Sequence, residues 1–249
     1  MATTGKSKSA AVRARLTHPV IDSDGHMIEF EPGFLDYLKK VGGRTMVDLY
    51  LSPERNTGSW GKLFDWYRLS PEERRAQHTT RSPWWALPTK NTLDRATAVL
   101  PKLLHERMDE MGLDFTVLYP SLGLGFPHIE NTELRQATCH AFNWYCADYF
   151  RDYTDRMTPA ACIPMHTPQD AIAELEHVTK DLELKAIIMA GHVQRAIPTA
   201  ERKDFDAVRH ASWIDNFCID SAYDYDPVWA KCVELKLPPT FHSPGMGWG

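Results

Sequence analysis

Two histidines and an aspartate, far apart in the chain, have the residue types and positions of metal ligands. Asp24-Gly25-His26 follows the apolar pair Val20-Ile21, and His242 ends a second extended run over residues 237–241. Side chains alternate along a strand, so Asp24 and His26 share one face. Carboxylate oxygen and imidazole nitrogen suit zinc, iron or manganese, and such an ion polarises a substrate oxygen or activates water. The alternative is that these residues only cap strand ends.

Strand-like and helix-like segments alternate through the second half of the chain. Extended apolar runs are predicted at residues 114–120, 160–165, 185–189 and 239–242, and helices are predicted to begin near Asn131, Thr167 and Asp226. Such alternation predicts a parallel sheet with right-handed crossover connections. Near-continuous apolar strands fit either a barrel or a doubly wound sheet.

The polar residues that could bind a metal or act on a substrate follow the ends of the predicted strands. In chain order they are Asp24 and His26, Tyr119 and Ser121, His166, His192 and Arg195, and finally His242. In a (β/α)8 barrel the carboxyl ends of all strands converge on one rim, where the active site lies. In a doubly wound sheet the same residues would spread along an edge, and only those at the switch point would meet. The clustering therefore favours a barrel.

The composition limits the class of protein. The chain has 249 residues, a net charge of −5 and an apolar fraction of 43%, which allows one large α/β domain or two small ones. Mild acidity argues against nucleic acid or an anionic membrane as partner, and no apolar run approaches about 18 residues. Five cysteines without ligand spacing predict a reduced, cytoplasmic protein. Without a Gly-rich phosphate loop, no nucleotide cofactor is expected.

Two segments depart from the alternating pattern. Residues 1–16 are rich in Ser, Thr and Ala and lack the apolar region of a secretory signal. We expect a disordered tail there rather than a transit peptide. Residues 54–95 form an insertion between strands one and two that holds Trp60, Phe64, Trp66, Tyr67, Trp84 and Trp85. The insertion could be a lid over an aromatic substrate, a surface buried against a second subunit, or a satellite core.

Several motifs, in order along the chain, carry a family resemblance. They are residues 21–29 at the first strand, 106–114 before the second, Ile163-Pro164-Met165 with 170–176, then 225–229, and Phe241-His242. Together they resemble the amidohydrolase-related family, the branch of the amidohydrolase superfamily that includes aminocarboxymuconate-semialdehyde decarboxylase and γ-resorcylate decarboxylase. The resemblance implies a metal-dependent (β/α)8 TIM barrel over residues 17–249.

The resemblance also implies a ligand set. Asp24 and His26 stand where the family places its strand-one ligand pair, which is commonly His-x-His, and His242 stands at the strand-five histidine ligand. An acidic first ligand occurs among the family's decarboxylases. Zinc is the expected divalent ion, with manganese and iron as alternatives.

Three further residues at the strand ends are expected to act on the substrate. His166 and His192 would orient or activate it, and Arg195 would clamp a substrate carboxylate through its guanidinium fork. The resemblance favours nonoxidative decarboxylation of an aromatic or unsaturated carboxylic acid by a homodimer. Metal-dependent hydrolysis of an amide, ester or lactone stays open.

The family's strand-eight aspartate, its last metal ligand, has no counterpart in this sequence. The sequence ends at Gly249, just after the fifth predicted strand. We therefore expect a barrel truncated after strand five, as a fragment of a longer enzyme. The alternative is an inactive remnant that acts only in assembly.

Overall fold

Five parallel strands form one sheet whose order in space equals their order in the chain. A computed structural model describes residues 7–52, 69–78, 91–197 and 212–242. Its strands are β1 (Ile21–His26), β2 (Phe115–Tyr119), β3 (Met157–Ile163), β4 (Ala186–Met189), β5 (Val193–Ala196), β6 (Ser212–Asp215) and β7 (Pro239–Phe241). The sheet runs β1-β2-β3-β4-β7, and every neighbouring pair in it is parallel. β5 and β6 form a separate antiparallel pair.

One helix precedes the large sheet, and the others lie between its strands. They are α1 (Lys8–Arg13), α2 (Glu31–Leu51), α3 (Pro71–Gln77), α4 (Thr92–Val99), α5 (Pro101–Met111), α6 (Thr132–Phe150), α7 (Pro168–Lys180) and α8 (Asp226–Leu235). Asn131 and Thr167 cap α6 and α7 by accepting a backbone N–H, as their positions in the sequence predict. None of the helices in the described ranges is long and apolar enough to cross a membrane.

The curvature of the sheet distinguishes a barrel from a flat, doubly wound arrangement. With strands about 4.8 Å apart, β1 and β7 would lie about 19 Å from each other in a flat sheet. The Nε2 atoms of His26, at the end of β1, and His242, just after β7, are 3.1 Å apart. The sheet must therefore curl so that its two outer strands face each other across the interior. This arrangement confirms the predicted α/β fold with the strand arrangement of a (β/α)8 barrel.

The interior of the fold is apolar along whole strands. In β3, residues 159–163 are all buried, which is typical of a parallel strand covered on both faces. One core cluster lies between the first three strands and helices α2 and α6, and a second surrounds β4, α7 and α8. The cysteines are all free, and four of the five are buried.

Residues 7–16 differ from the disordered tail expected over residues 1–16. Within the described residues, Ser7 caps α1, and Arg13 forms an ion pair with Asp114, the residue before β2. The second Arg13–Asp114 bond, from Nη2 to Oδ1, measures 2.9 Å. The backbone N–H of Val20 also donates to Asp114, at 2.6 Å. This pairing, which composition does not reveal, fixes the segment against the start of the sheet.

The aromatic insertion is described only in part. Helix α3 lies within it, and α4 begins inside its C-terminal edge. Its six large aromatic residues fall in 53–68 and 79–90, outside the described residues. The lid, interface and packing interpretations of the insertion thus remain predictions.

Candidate metal centre

Asp24, His26 and His242 meet at the carboxyl edge of the sheet; we call this group the rim centre. His26 Nε2 and His242 Nε2 are 3.1 Å apart, and each lies near Asp24 Oδ1, at 3.9 and 3.8 Å respectively. Gly25, between the two ligands on β1, allows β1 to lie close to β2. A Cβ at this position would lie 2.4 Å from Thr116 Oγ1 on β2, so any larger residue would push β1 away.

Hydrogen bonding sets which nitrogen of His26 faces the rim centre. Its Nδ1 lies 3.1 Å from the carbonyl oxygen of Pro120, so this nitrogen carries the proton and donates it. The Nε2 lone pair is then directed at His242 and Asp24. Burial, followed by the nearby His242, lowers the pKa of His26. A neutral imidazole with a bonded Nδ1 and an open Nε2 is the usual form of a metal-binding histidine.

The three ligand atoms have the spacing that one ion needs. The point equidistant from them lies about 2.1 Å from each atom, which is close to the length of metal–nitrogen and metal–oxygen bonds. Without an ion, two imidazole nitrogens at 3.1 Å can share only one proton. The rim centre therefore fits a divalent ion, and its donor set of one carboxylate and two imidazoles suits zinc, manganese or iron.

The surroundings of the rim centre are aromatic and apolar. The Tyr119 ring lies 6.1 Å from that of His26 and 5.8 Å from that of His242. Beside His242 is a small cleft lined by Gly123, Leu124, Pro127, Cys162, Ile188, Met189 and Ala190. These walls offer van der Waals contact to a flat hydrocarbon surface and few hydrogen bonds.

Glu29, just after β1, ties the ends of β1 and β2 together. Its buried carboxylate accepts the backbone N–H groups of Ser121 at 2.8 Å, Leu122 at 3.0 Å and Gly123 at 2.9 Å. The Ser121 hydroxyl donates in turn to the Met27 carbonyl oxygen. Burial raises the pKa of Glu29, and the three N–H donors act against that rise. Glu29 belongs to the sequence motif at the first strand, but its role could not be read from spacing.

Arg195, expected to clamp a substrate carboxylate, forms hydrogen bonds to three groups within the chain. Its Nε donates to the fully buried Asp215 at 2.5 Å, and its Nη2 donates to Tyr225 Oη at 2.9 Å and to the His166 carbonyl oxygen at 3.0 Å. These bonds join β5 to β6 and to the end of β3, and the substrate contact of Arg195 stays a prediction. Asp215 lies in an unpredicted strand, so the sequence pattern did not reveal this partner.

The expected histidines after β3 and β4 lie near a third histidine that the sequence reasoning missed. The His192 ring is 5.9 Å from that of His128, which ends a short 3₁₀ helix after β2. Burial lowers the pKa of His166, and the charges of Arg135, Arg195 and His128 lower it further. Within the described residues, His128 Nε2 and His166 Nδ1 are buried without a hydrogen-bond partner. The structure does not bring these three histidines into the ligand set of the rim centre.

Lowering the pH should destabilise the fold, because His128 and His166 are buried as neutral imidazoles. Burial lowers the pKa of His128 to about 4 and that of His166 to about 3, whereas both titrate near 6.5 in an unfolded chain. The unfolded state therefore binds more protons below pH 6.5, and stability falls as the pH drops. At pH 5 each imidazole should lower the free energy of unfolding by about 2 kcal/mol relative to its value at neutral pH.

Urea titrations at pH 7 and pH 5, with chelator present, would measure this slope. The variant His128→Gln should show a shallower dependence on pH, whereas His18→Gln, at an exposed position, should keep the original slope. Equal stability at the two pH values would contradict the burial of neutral imidazoles.

Comparison with known proteins places these observations in a family. Residues 92–248 match the family model described as amidohydrolase. No curated protein matches the sequence. The solved structures that match share only 13 to 17% of residues in the cases described below, so they bear on the fold alone.

Three solved structures illustrate the similarity. An amidohydrolase from Mycobacterium avium subsp. paratuberculosis matches with a TM-score of 0.52 at 17% identity, over 91% of this chain and 58% of its own. The 5-carboxyvanillate decarboxylase of Novosphingobium aromaticivorans, solved with manganese and 3-methoxy-4-hydroxy-5-nitrobenzoic acid, matches with a TM-score of 0.50 at 15% identity, over 91% and 51%. The same enzyme from Sphingomonas paucimobilis gives 0.50 at 13% identity, over 90% and 51%.

The chain spans about half the length of the solved structures it matches. The family-model match covers more than half of the chain, and the parallel sheet and the rim centre agree with it. The chain belongs to the amidohydrolase family.

Proposed function

We propose that this chain carries the rim centre of a divalent-metal-dependent decarboxylase that acts on an aromatic carboxylic acid. One observation carries the proposal. The ligand atoms of Asp24, His26 and His242 surround a point that lies about 2.1 Å from each of them, which is the length of a metal–ligand bond. The similarity in fold to 5-carboxyvanillate decarboxylase, a manganese-containing structure, supports decarboxylation over hydrolysis. The apolar character of the residues beside His242 supports an aromatic substrate.

A bound divalent ion would supply positive charge and Lewis acidity toward the substrate's carboxylate and a neighbouring oxygen. Asp24 contributes a negative charge, and the two neutral imidazoles contribute none, so three protein ligands leave a net positive centre for an anionic substrate. Asp24 is largely exposed, with 74% of its side chain accessible, and the open side of the rim centre faces solvent. The family resemblance favours zinc and the similar structure contains manganese; metal analysis would decide between them.

The apolar residues beside His242 would lie against one face of the substrate ring. Leu124 and Met189 are buried and contribute apolar surface, and Cys162 lies beneath them. Burial raises the pKa of the Cys162 thiol well above its ordinary value, so the thiol stays neutral and serves as a wall rather than a nucleophile. We propose that His166 and His192 add hydrogen-bonding groups at the edge of this site, as expected from the sequence.

Release of carbon dioxide tests the proposed reaction. The chain would be loaded with Mn²⁺ or Zn²⁺ and incubated with hydroxylated benzoic acids, and carbon dioxide would be measured. We expect release that stops on chelation and returns on adding the ion. A matched control is His105→Gln, which changes an imidazole bonded to Asp155 on the outer surface. Hydrolysis of amides or lactones without carbon dioxide would instead support the hydrolase alternative.

A further inference from the structure

A second group of potential metal ligands lies between helices α6 and α7, away from the strand ends. His140 on α6 and Glu174 and His177 on α7 each offer one ligand atom, and these atoms lie within 4.8 Å of one another. We call them the helix-layer cluster. None of them takes part in the rim centre or in the cleft beside His242.

The spacing on α7 is that of a helical metal-binding motif. Residues three apart on a helix lie on the same face, and a Glu-x-x-His pair on one helix ligates metal in several helix bundles. Glu174 and His177 form such a pair, and the contact between α6 and α7 brings His140 to the same face. His140 Nδ1 lies 3.2 Å from Glu174 Oε2, a separation expected for two atoms bonded to one ion at about 2.1 Å each.

Neighbouring side chains orient the cluster. Asn143 donates to Glu174 Oε1 at 2.7 Å and holds that carboxylate in place, while its amide is itself bonded to the backbone of Cys162 on β3. His177 Nδ1 lies 2.8 Å from Asp181 Oδ2, which fixes the proton on Nδ1 and leaves the lone pair on Nε2. That Nε2 is buried and has no hydrogen-bond partner within the described residues. At metal sites, a histidine ligand usually donates its other ring N–H to a carboxylate or carbonyl oxygen, as His177 does here.

From this geometry we propose that His140, Glu174 and His177 bind a second divalent ion, with solvent filling the remaining positions. The donor set of two imidazoles and one carboxylate suits zinc, cobalt or nickel. The rings of His140 and His177 stack with centroids 3.9 Å apart. Because an ion lies in the plane of each imidazole that binds it, the His140 ring must tilt on binding. Its side chain is 37% exposed, so it has room to do so.

Metal stoichiometry of the full chain tests the proposal independently of the proposed reaction. The chain would be stripped with chelator and titrated with Zn²⁺ or Co²⁺ by calorimetry, and the bound metal would be counted by elemental analysis after desalting. We expect two equivalents for the unmodified chain. A variant without the rim centre, Asp24→Asn with His26→Gln and His242→Gln, should retain one equivalent.

Changes in the helix-layer cluster should then remove the retained equivalent. In the variant without the rim centre, His140→Gln should weaken the remaining site at least about 100-fold. His140 is chosen because its side chain is partly exposed. His105→Gln, which alters another imidazole–carboxylate pair on the surface, should leave affinity unchanged. No metal bound by the variant without the rim centre, or equal binding with and without His140, would overturn the proposal.

Discussion

Replacing His242 with alanine is expected to abolish metal binding at the rim centre and any carbon dioxide release that depends on it. His242 supplies one of three ligands and comes from the opposite edge of the sheet to the other two. Loss of a residue that merely supports a ligand typically costs 10- to 100-fold in metal affinity or activity. Loss of a ligand itself should exceed about 100-fold, and elemental analysis should find one equivalent of metal fewer.

The controls for this prediction separate ligation from packing. His18→Ala removes an exposed imidazole near β1 and should leave metal content unchanged. Circular dichroism should show the same helix content for the His242→Ala and unmodified chains, because Nδ1 of His242 makes no hydrogen bond within the described residues. Unchanged affinity and metal content in His242→Ala would refute the assignment of the rim centre.

Replacing Glu29 with alanine should strongly destabilise the chain. Its carboxylate accepts three backbone N–H groups, and two of these hydrogen bonds are fully buried. Leaving a buried donor without an acceptor costs about 1 to 3 kcal/mol for each group. We therefore expect the free energy of unfolding to fall by about 3 to 5 kcal/mol. Urea unfolding followed by fluorescence would measure it.

Glu29→Gln is the informative companion to this change. The glutamine oxygen can still accept the N–H groups of Ser121 and Gly123, whereas its amide would face the Leu122 N–H as a second donor. The loss should then be smaller, about 1 to 2 kcal/mol. Equal losses for the alanine and glutamine variants would mean that Glu29 acts through packing rather than through its hydrogen bonds.

The parallel strands and the rim centre could be predicted from the sequence because both depend on local patterns. β3 and β4 are short apolar runs between helix signals, and the predicted runs overlap the observed strands. Asp24 and His26 end one such run, and His242 ends another. Since carboxyl ends of parallel strands converge in a barrel, the meeting of these three residues followed from the fold. The observed geometry of 3.1 to 3.9 Å agrees with that expectation.

The parts that could not be predicted depend on long-range pairing. α2 and the β5–β6 pair were not identified, and β6 supplies Asp215, the buried partner of Arg195. α1 is held by the pairing of Arg13 with Asp114, which lies about one hundred positions further along the chain. His128 ends a 3₁₀ helix without any periodic signal. For Arg13 and Arg195 the deciding contact joins residues that no local window contains.

The rim centre exists only while both outer strands of the sheet are in place, since His26 and His242 are 216 positions apart in the chain. An ion that binds the folded state alone adds about 4 kcal/mol of stability when its concentration is a thousand times its dissociation constant. Fraying of either outer strand would separate the ligands and release the ion. Binding of the ion and pairing of the two outer strands, β1 and β7, are therefore coupled in one equilibrium. The time for which the ion stays bound would report how often either outer strand opens.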